Sequence, residues 1–155
     1  MICSNDKGFL KKTLYKKVYN VAPIFCVDIT VVCGNEFLLG KRENEPEKGK
    51  WFLPGGRIYK METFERAVIR KAKEELGIRV IRKDFEFLTL GTVMSKDAPF
   101  GDGPFHAVIG VYKLKVKKKD AIKSDTQHSE LKWFTLIDKK WHSYVKESLV
   151  VAGFK

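Results

Sequence analysis

"GRIYKMETFERAVIRKAKEELGI" (residues 56–78) decides how the rest of the chain is read. Phe64, Ala67, Val68, Ala72 and Leu76 recur at the spacing of one helical face. Thr63 stands where a helix start is capped and Gly77 where a helix stops, so a helix is predicted over about 63–76. Along it Glu75 follows Glu74 by about 100° of rotation, so the two carboxylates diverge. Arg70, four residues before Glu74, can hold one of them while the other faces a cation. The same Arg/Glu spacing also suits an ordinary solvated helix face. Lys71 places a positive charge among these carboxylates.

Working outward toward the amino end, "WFLPGGRI" (51–58) puts Pro54, Gly55 and Gly56 just before the helix, marking backbone that turns tightly or approaches something closely. Upstream, "APIFCVDITVVC" (22–33) is rich in β-branched and aromatic residues. After Gly34 and Asn35 the run "EFLLGKR" (36–42) resumes, which reads as a hairpin. Asp28 interrupts the first of these strands, where an unpaired carboxylate is costly, so a partner is expected for it. Residues 6–19, with Phe9, Leu10, Leu14, Tyr15 and Val18 between lysines, read as a short amphipathic helix.

Toward the carboxyl end, strand-like runs appear at "IRVIR" (78–82), "FEFLTLGTVMS" (85–95), "FHAVIGVYKLKV" (105–116) and "ELKWFTL" (130–136). The tail from Asp138 to Val150 is suited to another helix. Strands on both sides of a central helix, with helices near both ends, point to an α+β sandwich with a mixed sheet. With 155 residues, 44% hydrophobic, the chain has material for one core and is expected to form a single domain, 1–155.

No run reaches the roughly 18 apolar residues of a membrane span, and "MICSNDKGFLKK" lacks the order of a secretion signal, so a cytoplasmic protein is expected. Cys3, Cys26 and Cys33 show no zinc-site spacing and suit a reducing compartment. Lys plus Arg exceeds Asp plus Glu by 30 − 19, or +11, a balance that attracts anions without naming one. In "YKLKVKKKD" lysines alternate with Tyr112, Leu114 and Val116, which reads as the solvated face of a strand. With no RNA-binding signature or zinc finger beside it, a nucleic-acid partner is disfavoured.

The helix stretch contains, in order, Gly56, five residues, Glu62, seven residues, Arg70, then Glu74, Glu75, Leu76, Gly77 and Ile78. In this it resembles the Nudix hydrolase family, departing from the pattern at Lys71 and, by its small size, at Ala72. The resemblance implies a Nudix-type α/β/α sandwich and a hydrolase of diphosphate-linked nucleotides that uses Mg²⁺, or Mn²⁺ in its place. Such a cation takes hard oxygen ligands, which carboxylates and backbone carbonyls supply, and screens the diphosphate.

"VDITVV", "FLLGKR", "WFLPGGR" and "DTQHSELKWFT" are further similar to the GDP-mannose mannosyl hydrolase branch, in which water attacks the sugar carbon. By that resemblance the Gly55 carbonyl, Glu75 and Gln127 would hold the metal; Glu74, a carboxylate which that branch commonly lacks, is an additional candidate outside the resemblance. By the resemblance, too, His128 would be the general base, Arg42, Arg57 and Arg70 would bind or stabilise the diphosphate, and Asp28 would assist catalysis. The implied reaction is hydrolysis of GDP-mannose or GDP-glucose to GDP and free sugar with inversion.

Two alternatives remain open at this point. One is a conventional Nudix pyrophosphatase cutting a phosphoanhydride in a nucleotide sugar, ADP-ribose or a nucleoside triphosphate. The other is an inactive nucleotide- or RNA-binding module, for which Lys71 speaks. A homodimer is also compatible with the sequence.

Overall fold

A computed structural model of the chain describes residues 11–96, 103–122 and 128–155, with the side chains of Ala121, His128 and Ser129 outside that description. The hairpin forms where β-branched residues meet a two-residue turn. Strand β1 (Ile24–Cys33) runs into Gly34, which adopts φ 61°, and returns as β2 (Glu36–Arg42). Two short strands follow, β3 (Trp51–Phe52) and β4 (Gly55–Arg57), the latter pairing Gly55 with Asp28 of β1. Next come helix α2 (Phe64–Leu76), β5 (Phe85–Ser95), β6 (Phe105–Lys115), β7 (His128–Phe134) and α3 (Ser143–Val151). Helix α1 (Lys12–Val21) precedes them all.

Among the described residues the strands form one seven-stranded sheet in the order β3-β2-β1-β6-β5, with β4 added to β1 and β7 to β2. Among these residues only the β1 and β6 pairing is parallel, so the sheet is mixed as expected. Side-chain alternation sorts the strands' residues between two cores. Val27, Ile29 and Val31 of β1, with Leu38, Tyr112 and Leu114, pack under Ala67, Val68, Ala72 and Leu76 of α2. Phe37, Leu39, Ile109 and Val111 face the other way, toward Tyr144, Val145 and Leu149 of α3. The result is a sandwich with the sheet between α2 and α3, and the same alternation turns Asp28 toward α3, where it meets Tyr144.

Several boundaries differ from the sequence reading. The first helix, expected over 6–19, ends at Val21, with its start at Lys12 within the described residues. Its buried residue is Tyr19, whose ring lies 5.7 Å from that of Phe105, whereas Leu14 is exposed. "IRVIR" forms no strand: Ile81 is exposed, and a short 3-10 turn at Arg82–Asp84, closed by the Asp84 carboxylate on the Ile81 amide at 2.8 Å, leads into β5. The tail helix begins only at Ser143, because Asp138 first makes a turn that receives the Lys140 amide. No helix among the described residues is long and apolar enough to cross a membrane.

Candidate active site

Helix α2 carries the centre of the site. Thr63 caps it, its hydroxyl accepting from the Arg66 amide at 3.3 Å, and Gly77 closes it in the left-handed conformation, φ 68°. The buried residues are Ala67, Val68, Lys71, Ala72, Glu75 and Leu76, one continuous stripe at helical spacing. Two charges therefore stand on the face that packs against the sheet, one turn apart. They neutralise each other: the Lys71 ammonium donates to Glu75, which is wholly buried, and reaches Glu74 Oε2 at 3.3 Å. A buried charge without such a partner would be strongly destabilising.

Glu74, as the divergence of the two carboxylates required, lies on the outer side, with its carboxylate accepting from Arg70 Nη1 at 3.0 Å. Arg70 is committed elsewhere as well. Its Nε and Nη2 each approach Glu62 at 2.7 Å, Nη2 also donates to the Arg57 carbonyl at 2.9 Å, and its guanidinium lies 3.8 Å from the centre of the Tyr59 ring. Glu62 in turn accepts from the Tyr59 amide at 2.9 Å. Burial opposes ionisation of Glu62, but the bonds from Arg70 and Tyr59 outweigh it and hold the carboxyl below its usual value. Arg70 thus ties the glycine loop to α2, and its guanidinium is spent on protein groups.

A cavity of 290 Å³ opens beside this cluster, with Asp28, Arg42, Gly55, Gly56, Arg57 and Glu75 among its walls. The glycines are there because the backbone approaches its neighbours closely. A Cβ on Gly55 would fall 2.2 Å from Asp28 Oδ1, and one on Gly56 would fall 2.7 Å from Lys71 Cε. Asp28 is buried and accepts from the Tyr144 hydroxyl at 2.7 Å. Burial raises its carboxyl to about 6, against the lowering effects of Tyr144, Arg42 and Lys71. Arg57 stacks on Tyr15 of α1 at 4.9 Å and on Tyr59 at 5.4 Å. Arg42 donates from Nε to the Pro46 carbonyl at 2.7 Å and lies over Phe52 at 5.6 Å.

His128 belongs to β7, and its backbone pairs with Arg42 across a register shift in the ladder, beside the cavity wall. Its side chain and the whole of Gln127 lie outside the described residues. The described structure therefore brings Asp28, Arg42, Gly55, Arg57 and Glu75 to one cavity, and sets Arg70 and Glu74 behind it. Tyr144 and Tyr15 were not legible as site residues. Tyr144 reaches Asp28 across 116 positions of sequence, and no short motif surrounds it. Ala107, on β6, contributes a small side chain to the cavity wall.

Residues 25–147 match the model of the NUDIX domain family. The low-salt glycan biosynthesis protein Agl8 of Haloferax volcanii is 36% identical over 132 residues, covering 82% of this chain and 80% of that protein. The ADP-ribose pyrophosphatase of Methanocaldococcus jannaschii is 43% identical over 74 residues, 48% of this chain and 44% of that protein. Among solved structures, the MutT NUDIX hydrolase of Burkholderia pseudomallei superposes with a TM-score of 0.67 at 31% identity, over 83% of this chain and 97% of that one. The chain belongs to the Nudix hydrolase family.

Nudix hydrolases work with a divalent cation such as Mg²⁺ or Mn²⁺, and the residues present can be tested for one. Glu75, in the last turn of α2, offers carboxylate oxygen at the cavity wall, the kind of donor a hard cation takes. Among the described residues, however, no three His, Cys, Asp or Glu side chains group as a ready metal site, and Lys71 already sits against Glu75. A cation there would take Glu75 as its carboxylate and would face the Lys71 ammonium in a poorly screened interior, a repulsion that grows with each further positive charge.

Proposed function

We propose that the chain hydrolyses a nucleoside diphosphate sugar, GDP-mannose or GDP-glucose, releasing GDP and free sugar by attack of water at the anomeric carbon with inversion. The observation that carries this reading is the lysine on the buried face of α2. Attack on phosphorus by metal-activated water draws on a cluster of carboxylates holding several ions, and here Lys71 neutralises Glu75 instead. Departure of a diphosphate from a sugar carbon asks less: its charge must be stabilised, and no acid need protonate it.

The cavity's cations suit that task. Arg42 and Arg57 line it and would hold the diphosphate, their guanidiniums positioned by Phe52 and by Tyr15 and Tyr59. Arg70 acts behind them as a positioning residue, fixing the Arg57 carbonyl and Glu62. Glu75 and the Gly55 carbonyl, with Gln127, would hold one Mg²⁺, or Mn²⁺ in its place, which when bound supplies charge neutralisation at the diphosphate. Asp28, fixed by Tyr144, offers the sugar a hydrogen-bonding carboxyl.

His128 is the proposed general base: its strand borders Arg42, and an imidazole with a reference pKa near 6.5 is largely neutral at physiological pH. At 290 Å³ the cavity lies at the small end of the ~300–1,000 Å³ typical of ligand sites and would enclose one part of a nucleotide sugar. The Haloferax relative's name, a glycan biosynthesis protein, agrees with a sugar nucleotide.

A second reading, a pyrophosphatase cutting a phosphoanhydride, draws support from Glu74, which keeps a carboxylate next to Glu75, and from the name of the Methanocaldococcus relative. Product analysis separates them. With GDP-mannose and Mg²⁺, the leading reading expects GDP and mannose; GMP and mannose 1-phosphate would refute it in favour of the second.

A further inference from the structure

Lys71 holds a position that a surface lysine does not. Its side chain is 5% exposed, and its ammonium lies between Glu75, which is fully buried, and Glu74 Oε2 at 3.3 Å. We propose that Lys71 is a tethered cation competing with the divalent ion for Glu75: the ion gains that carboxylate only by displacing the ammonium, which then remains on Glu74.

Three features of the structure support such an exchange. First, Glu75 has no exposed surface, so it needs a positive partner at all times, and losing one cation favours gaining another. Lysine and metal cannot both sit on it without mutual repulsion in the interior. Second, the lysine has somewhere to go. Glu74 is 43% exposed and already within reach of the same ammonium, and a lysine's four-carbon stem lets its charge move a few ångströms without moving the helix. Third, the path is kept open by Gly56. A Cβ there would stand 2.7 Å from Lys71 Cε and 3.1 Å from Nζ, so any larger residue would jam the stem.

The exchange also gives Glu74 a role. It is the acceptor that holds both Arg70 and the displaced lysine, and it need not touch the metal. The site is thereby limited to one divalent ion, whose affinity is set by how firmly Lys71 holds its place. Metal uptake of this kind rests on the cation site proposed above at Glu75 and not on which bond of the substrate is broken.

The test is a titration of the full chain with Mn²⁺ in the absence of nucleotide, free ion being read by electron paramagnetic resonance. Lys71→Met is expected to bind Mn²⁺ at least tenfold more tightly than the wild type, and to gain more in melting temperature when the ion is added. Equal affinity in the two proteins would overturn the proposal. Because the variant leaves Glu75 without its lysine, a second measurement is made on the wild type. The ¹⁵N signal of the Lys71 ammonium, assigned by its absence in Lys71→Arg, is expected to be protected from exchange without metal and lost as Mg²⁺ is added. A protected signal that persists at every Mg²⁺ concentration would equally overturn it.

Discussion

At the scale of single residues, the pair Lys71 and Glu75 is the point at which stability and chemistry meet. Both lie on the stripe of α2 that packs against the sheet, so a substitution at either disturbs packing as well as charge. Lys71→Met should lower the stability of the protein without added metal by about 3–5 kcal/mol, the cost of leaving one partner of a buried ion pair uncompensated. Chemical denaturation measures this directly. Glu74 allows a finer discrimination. If it acts by receiving the displaced lysine, Glu74→Gln should weaken Mn²⁺ binding several-fold in the wild type and leave it unchanged in a Lys71→Met background. An equal loss in both backgrounds would make Glu74 a metal ligand instead. The sequence announced Glu74 and Glu75 as diverging carboxylates, and the structure keeps that division. It did not announce that Lys71 shares the buried face with Glu75, although positions 71 and 75 lie one turn apart and interleave with Ala67, Val68, Ala72 and Leu76. Charged residues are left out when an apolar stripe is traced, and that omission hid the pair.

At the scale of elements, what was readable was local. The hairpin of β1 and β2 followed from β-branched runs around Gly34 and Asn35, and α2 from its cap and its glycine stop, each a signal carried within a few positions. "IRVIR" misled because alternation alone does not supply a neighbouring strand. Here Val80 is buried against the α2 core while the flanking residues turn toward β5. The long-range contact between β1 and α3 was likewise out of reach, although Asp28 was expected to have a partner. The Asp28 and Tyr144 contact has a measurable consequence. Burial raises the Asp28 carboxyl from 3.8 to about 6. An acid whose value is raised on folding contributes stability below its unfolded value and loses it as pH rises through the folded one. Asp28→Asn should therefore gain about 1–3 kcal/mol relative to the wild type on going from pH 4 to pH 8. Denaturant melts at the two pH values give the difference, and a pH-independent effect would show that the carboxyl ionises normally.

At the scale of the whole molecule, a mixed sheet between two helical layers has a cavity where β1, β4 and the glycine loop meet α2, and it gathers residues from distant parts of the chain. The net charge of +11 suits an anionic substrate, and the alternating lysines of "YKLKVKKKD" fall where a strand would leave them: Tyr112 and Leu114 are buried and Lys115 is exposed. Lys113 is partly covered, because its ammonium donates to the Ala152 carbonyl at 2.8 Å and joins β6 to the end of α3. In the function proposed above, water attacks carbon, and the arginines and a single cation serve the departing diphosphate. The most direct measurement is hydrolysis of GDP-mannose in ¹⁸O water, with label and anomer followed together. Attack at carbon is expected to leave ¹⁸O in the free mannose, released first as the inverted anomer, with unlabelled GDP. Label in a phosphate of the products would contradict it.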